Sequence, residues 1–166
     1  VARVAREAGA DSVHVAAAFT PYGSRRDTEV EQELAAHGVR RERTGSPYAV
    51  APGRGTKEDG TGYRVFTPFF RGWKEHGWRA PAGPAKSVPW IRPSDSVKIP
   101  DVIAPDVMEL PPLGEEAALE RWRAFVDDDI ADYDETRDLP GPDRTSRMSV
   151  HLKWGTIHPR TMLADL

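Results

Sequence analysis

Between Pro81 and Pro112 the chain carries eight of its 15 prolines, at positions 81, 84, 89, 93, 100, 105, 111 and 112. Each proline fixes φ and removes a backbone donor, so neither an ordinary helix nor a central strand runs through such a stretch. The 166 residues therefore divide into 1–80, a linker over 81–113, and 114–166. The linker reads as extended and semi-rigid. Its Val88, Trp90, Ile91, Val97 and Ile99 predict that it lies along a surface.

On the N-terminal side the pattern alternates. Val1 to Ala8 reads as helix, with Gly9 as its stop. Ser12 to Phe19 is apolar and fits a buried parallel strand. Thr20-Pro21-Tyr22-Gly23 reads as a turn cluster. Thr28, with Glu31 three residues on, predicts a capping box opening a helix that shows Val30 and Leu34 on one face and closes at Gly38. Val39 to Arg43 reads as a second strand. Helix, strand, helix, strand predicts the C-terminal part of an open α/β sheet. Thr44 to Gly62 is a long loop of turn residues, and Thr67-Pro68 predicts a helix over Pro68 to His76.

After Gly114 the pattern is helical. Ala118, Leu119, Trp122, Phe125, Val126, Ile130 and Tyr133 share one apolar face, and Arg137 falls one turn beyond Tyr133. Pro140-Gly141-Pro142 ends that helix. A short helix is expected after Thr145–Ser149, stopping at Gly155, and another after His158-Pro159.

Hydrophobic residues at 39% and charged residues at 30% place the chain among globular proteins. A net charge of −3 confines any nucleic-acid contact to a local patch. The absence of cysteine excludes disulfides, thiol nucleophiles and Cys-ligated zinc. The five histidines show no metal-ligand spacing. Asp127-Asp128-Asp129 lies within a helix, where its members diverge, and reads as a solvated face. The longest apolar run, near Val15 to Phe19, is far short of a membrane span. Val1 begins inside a helix and Met162 to Leu166 carries no stop signal, so the chain reads as an internal fragment.

The most pointed local feature is Thr145-Ser146-Arg147-Met148-Ser149. Three hydroxyls and an arginine stand where a helix begins, and free N–H groups with the positive end of a helix dipole favour anions. Plain N-capping by Thr145 or Ser146 is the alternative reading of the same residues.

Tyr133-x-x-x-Arg137, then Thr145-Ser-x-Met-Ser149, Gly155 and Pro159-Arg160, following an α/β half and a Pro-rich linker, resemble the photolyase/cryptochrome flavoprotein family. Tyr22-Gly23…Arg26-Asp27, Tyr63-Arg-Val-Phe-Thr-Pro-Phe69 with Trp73, and Gly114-Glu115 with Ala117-Ala118 extend the resemblance over nearly the whole chain. Met148 stands where the family usually has Leu, Val150 where it often has Pro, and His158 where it often has Ser.

The resemblance implies the end of an α/β antenna domain, a linker, and the first helices of an all-α FAD-binding domain. It implies that Tyr133, Thr145, Ser146, Arg147, Met148 and Ser149 contact the phosphates and ribose side of FAD, and that Arg137 lies near the DNA entrance. It also implies a second, antenna chromophore. Pro21-Tyr22-Gly23…Arg26-Asp27 resembles members that bind a deazaflavin rather than a folate, although Gly23 and Arg26-Asp27 also read, and more simply, as a strand-to-helix turn with a surface ion pair. The implied activity is a deoxyribodipyrimidine photo-lyase: blue light absorbed by FAD drives an electron onto a pyrimidine dimer in damaged DNA, and the dimer opens. No catalytic residue is expected within this stretch, which alone should be inactive, and no metal. A cytoplasmic monomer without membrane association is expected. A cryptochrome-type photoreceptor without repair and a non-catalytic nucleotide-binding α/β module are the alternatives.

Overall fold

The computed structural model describes residues 1–91, 96–101 and 110–166; Pro93 and Pro105 of the proline-rich stretch lie outside these. The chain divides into two compact units, Val1–Asp101 and Val102–Leu166.

The first unit is built on α1 (Ala2–Glu7), β1 (Ser12–Val15), α2 (Pro21–Ala35), β2 (Arg40–Arg43) and α3 (Phe66–His76). The strands pair in parallel with Ser12 opposite Arg40 and Val15 opposite Arg43. Antiparallel neighbours can be joined by a tight turn, but a parallel pair needs a crossover, which α2 supplies. Ala2, Ala5, Leu34 and Val39 form the core beneath it.

Three boundaries differ from expectation. β1 stops at Val15, because its partner strand ends at Arg43 and Thr44–Gly45 turns away; only Thr44 N–H onto Val15 O and Ala17 N–H onto Gly45 O continue the pairing. α2 begins at Pro21, not Thr28. Thr20 is its N-cap, its Oγ1 accepting from Gly23 N–H at 3.1 Å, and Pro21 takes the first helical position, where a missing N–H costs nothing. Thr28 thus sits inside the helix and returns its hydroxyl to Ser24 O at 3.0 Å. α3 begins two residues early, behind Val65, which leaves Pro68 in the first turn, where its lack of an N–H is tolerated.

The side chains expected to hold the linker to a surface are exposed: Trp90 by 86% and Val97 by 91%, with Val88, Ile91 and Ile99 alike.

The second unit holds α4 (Glu115–Asp128), a 3-10 turn (Ile130–Asp132), α5 (Tyr133–Thr136), α6 (Ser149–Trp154) and α7 (Pro159–Ala164). Among the described residues it contains no strand. Ala118, Trp122, Phe125, Met148 and Ile157 are its buried core, with Leu119, Val126, Ile130 and Met162 packed around them. The single helix expected to reach Tyr133 breaks at Asp129, whose φ of −121° leaves the helical region. Three consecutive aspartates oppose the negative end of the helix dipole there, and Arg144 Nε takes the Asp129 carboxylate at 2.9 Å. Gly155, at φ 73° and ψ 22°, closes α6 in the left-handed conformation. His158 caps α7 by accepting from Arg160 N–H at 3.1 Å. No helix among the described residues is long and apolar enough to cross a membrane.

Candidate functional site

In the second unit a cleft of about 900 Å³ opens between α4, the loop before α6 and the first turn of α6. Thr145, Arg147 and Ser149 line it, together with Arg121, Asp143 and His151. α4 supplies Arg121 from the edge of its buried stripe. The preceding helical stretch ends at Thr136, ahead of Pro140-Gly141-Pro142, and residues 143–148 run free of regular structure.

The hydrogen-bond ladder of α6 starts with Leu152 N–H onto Met148 O at 2.8 Å. The N–H groups of Ser149, Val150 and His151 stand ahead of it, as at any helix start. Met148, the N-cap residue, contributes no side-chain bond, and among the described residues no hydrogen bond engages the hydroxyls of Thr145, Ser146 or Ser149. The plain capping expected of Thr145 or Ser146 is therefore not what these hydroxyls do. They are open to another acceptor, and rotatable O–H donors suit anionic oxygens.

The expected site residues separate into groups. Thr145, Arg147 and Ser149 meet in the cleft. Ser146 stands beside it and gives its carbonyl to Arg121. Met148 points the other way, into the core, so its side chain is a packing element and only its backbone faces the loop. Tyr133, 41% exposed, lies outside the cleft, with its ring edge-on to Phe125 at 5.7 Å between centroids. Arg137 caps α5 and pairs at 3.7 Å with Asp138 in solvent.

Arg121, Asp143 and His151 were not among the expected site residues. Arg121 donates to Thr145 O at 2.5 Å, to Ser146 O at 3.3 Å and to Asp143 Oδ1 at 2.8 Å. Arg147 Nε donates to the same Asp143 oxygen at 2.6 Å. His151 is buried, its Nδ1 2.9 Å from Thr156 Oγ1. The available signal was that Arg121 adjoins buried Trp122 and that Asp143 falls two residues before Thr145.

In the first unit, Gly23 and the Arg26–Asp27 pair lie within the first two turns of α2, not in a turn ahead of it. The pair is half a surface one: the Arg26 side chain is 54% exposed and that of Asp27 9%. Asp27 is buried and bonds Arg26 at 2.8 Å and Arg41 at 3.2 Å, and the Arg41 side chain is 1% exposed. Arg41 also reaches Glu31 at 3.0 Å. The hydrogen bond from Arg26 holds the Asp27 carboxyl below the ordinary aspartate range, with help from Ala18 N–H and the charge of Arg41, against the opposing effect of burial. Among the described residues no three His, Asp or Glu side chains cluster as a metal site would require.

Comparison with known proteins places this geometry. The family model for DNA photolyase matches residues 1–88. The chain is 34% identical over 170 residues to the deoxyribodipyrimidine photo-lyase of Streptomyces griseus, covering 95% of this chain and 35% of that one. It is 33% identical to the same enzyme of Agrobacterium fabrum, covering 92% and 34%. It thus spans about a third of the length of these curated relatives. The crystal structure of a bacterial class III photolyase from Agrobacterium tumefaciens superposes with a TM-score of 0.70 at 27% identity, covering 98% of this chain and 36% of that one. A cryptochrome from Synechocystis sp. PCC6803 shares the fold, with a TM-score of 0.77 at 20% identity, over 99% of this chain and 37% of that one. The α/β unit, its parallel strands and the match across its length together establish that the chain belongs to the DNA photolyase family.

Proposed function

We propose that the full-length protein is a flavin-dependent deoxyribodipyrimidine photo-lyase, and that the cleft of the second unit receives the diphosphate of FAD. The carrying observation is the convergence of Thr145, Ser149, Arg121 and Arg147 on one cleft beside an open helix start. The donor set fits the group: hydroxyls without internal partners, backbone N–H groups ahead of the α6 ladder, and the Arg147 guanidinium suit phosphate oxygens. Bound FAD would lend a light-driven electron to a pyrimidine dimer and take it back once the dimer has split; the protein's share would be orientation, electrostatics and exclusion of water.

In this reading residues 1–80 close the α/β antenna domain, 81–113 link, and 114–166 begin the helical FAD domain. Thr145, Ser146 and Ser149 donate to the diphosphate, Arg147 adds charge, and Met148 contributes backbone only. Tyr133, on the ribose side, and Arg137, as a phosphate contact for DNA, keep their places through the resemblance. An antenna chromophore, a deazaflavin in preference to a folate, belongs to the α/β unit, with no residue assigned to it.

The test is illumination of the full-length protein with DNA carrying cyclobutane dimers. Dimers should disappear under blue light and persist in the dark. Stoichiometric flavin with no light-dependent loss of dimers would indicate a cryptochrome-type photoreceptor instead. Absence of flavin from the folded protein would contradict the proposal.

A further inference from the structure

The loop that carries the cleft hydroxyls is tied to the α4 region by Arg144, which pairs with Asp129, and by Arg121, the one of the two that binds its backbone carbonyls. Arg121 crosses from α4 and joins three acceptors: Thr145 O, Ser146 O and Asp143 Oδ1. The Asp143 oxygen is shared with Arg147 Nε. Arg147 itself has a φ of 52°, the one non-glycine residue with positive φ among those described. Residues other than glycine enter that region at a cost, so the surrounding bonds must hold it there. A planar guanidinium with five donors in fixed directions can span two successive carbonyls and a carboxylate. A lysine ammonium on a flexible stem cannot.

Charge adds a second consequence. The cleft wall carries Arg121 and Arg147 against Glu120 and Asp143, so the formal charges cancel. Without Arg121 the wall would be net negative, and the carbonyls of Thr145 and Ser146 would lose their donor and be free to turn toward an incoming anion. Asp143 is the one carboxylate of the loop, and a carboxylate beside a diphosphate is repulsive unless neutralised.

We propose that Arg121 is the positioning residue of the flavin-phosphate loop: it fixes the 143–147 backbone and neutralises Asp143, so that the hydroxyls of Thr145, Ser146 and Ser149 meet the diphosphate, without itself holding the phosphate. This rests on the reading that the cleft binds FAD.

The experiment is a double-mutant cycle on the full-length protein, read as the Kd of the folded apoprotein for FAD, followed by flavin fluorescence. Arg121→Met should weaken FAD binding tenfold or more. With Asp143→Asn already present, the same substitution should cost about threefold less than it does alone, because the charge it answered is gone while the bonds to the Thr145 and Ser146 carbonyls are still lost. An Arg121 that touches the phosphate directly would cost the same in both backgrounds, and that result would overturn the proposal. So would a lowered thermal midpoint with unchanged Kd, which is the mark of a purely structural side chain. Should Arg121→Met fail to fold, Arg121→Lys decides. It keeps the charge but not the fork and should bind about threefold more weakly; wild-type affinity would contradict the role. Ser146→Ala with Ser149→Ala serves as the control. If that pair loses flavin and Arg121→Met does not, only the positioning role falls. If neither does, the flavin-phosphate reading falls with it.

Discussion

Gly23 makes a structural demand that a helix-propensity scale would miss. Alanine inside a helix is ordinarily favoured over glycine by about 1 kcal/mol. A Cβ at Gly23, however, would stand 2.6 Å from Ala18 Cβ and 2.9 Å from the capping oxygen of Thr20. Gly23→Ala should therefore destabilise the protein, by about 1–3 kcal/mol, measurable as a shift in denaturant midpoint. A stabilised variant would show that the turn has room. Trp122 combines burial with a hydrogen bond from Nε1 to Asp165 at 2.9 Å. Trp122→Ala should cost about 3–5 kcal/mol, and Trp122→Phe about 1 kcal/mol, in chemical denaturation of the full-length protein. Core positions such as Trp122 and Phe125 were legible because apolar residues repeat at helical spacing. Met148 was not, because it joins that core from another element and no periodicity links the two. Arg121 was missed because a charged residue one step off an apolar stripe reads as solvated.

At the scale of elements, types were legible and several boundaries were not. Thr20-Pro21 carries two meanings, turn and helix start, and the choice depends on whether Gly23 N–H finds the Thr20 oxygen, which only the folded chain shows. The break after α4 combines the local Asp127–Asp129 run with Arg144, 15 residues downstream of Asp129, and no local pattern contains the second. The Asp27 network ties the β1 turn, α2 and β2 together, and it has a pH signature. Its carboxyl titrates below the ordinary aspartate value when folded. The stability it contributes is therefore fully present above that ordinary value, about 3.9, and is lost as pH falls through the lower folded value. Thermal midpoints measured from pH 7 downward should show an acid limb that flattens in Asp27→Asn. An unchanged limb would mean that other carboxylates dominate.

For the whole molecule, the division into two compact units, Val1–Asp101 and Val102–Leu166, falls within the proline-rich stretch. The first unit has a sheet of two strands, marginal by itself. Its α3 has no buried residue, and the rings of Phe66, Phe70 and Trp73, with Trp78 just past the helix end, stack in succession at 4.5–6.1 Å. The second unit offers one wall of donors and an open cleft. Residues 1–166 expressed alone should accordingly purify without flavin colour, since one wall cannot enclose the cofactor. A flavin absorbance band that survives gel filtration would refute this. Arg137→Ala in the full-length protein should weaken damaged and undamaged DNA alike and lower the salt slope by about one unit, with flavin content unchanged. Flavin loss with intact DNA affinity would place Arg137 at the cofactor instead.

The central claim is that the Thr145–Ser149 segment holds the FAD diphosphate. A hydroxyl bond to a charged oxygen contributes about 1.5–3 kcal/mol, so removing two should weaken FAD about a hundredfold or more. The most direct measurement takes thermal midpoint and flavin-to-protein ratio on one sample of full-length Ser146→Ala with Ser149→Ala. The account predicts a folded protein depleted in flavin, because neither hydroxyl has a structural partner to lose. A lowered midpoint with stoichiometric flavin would contradict it, showing that these serines serve the helix start and not the cofactor.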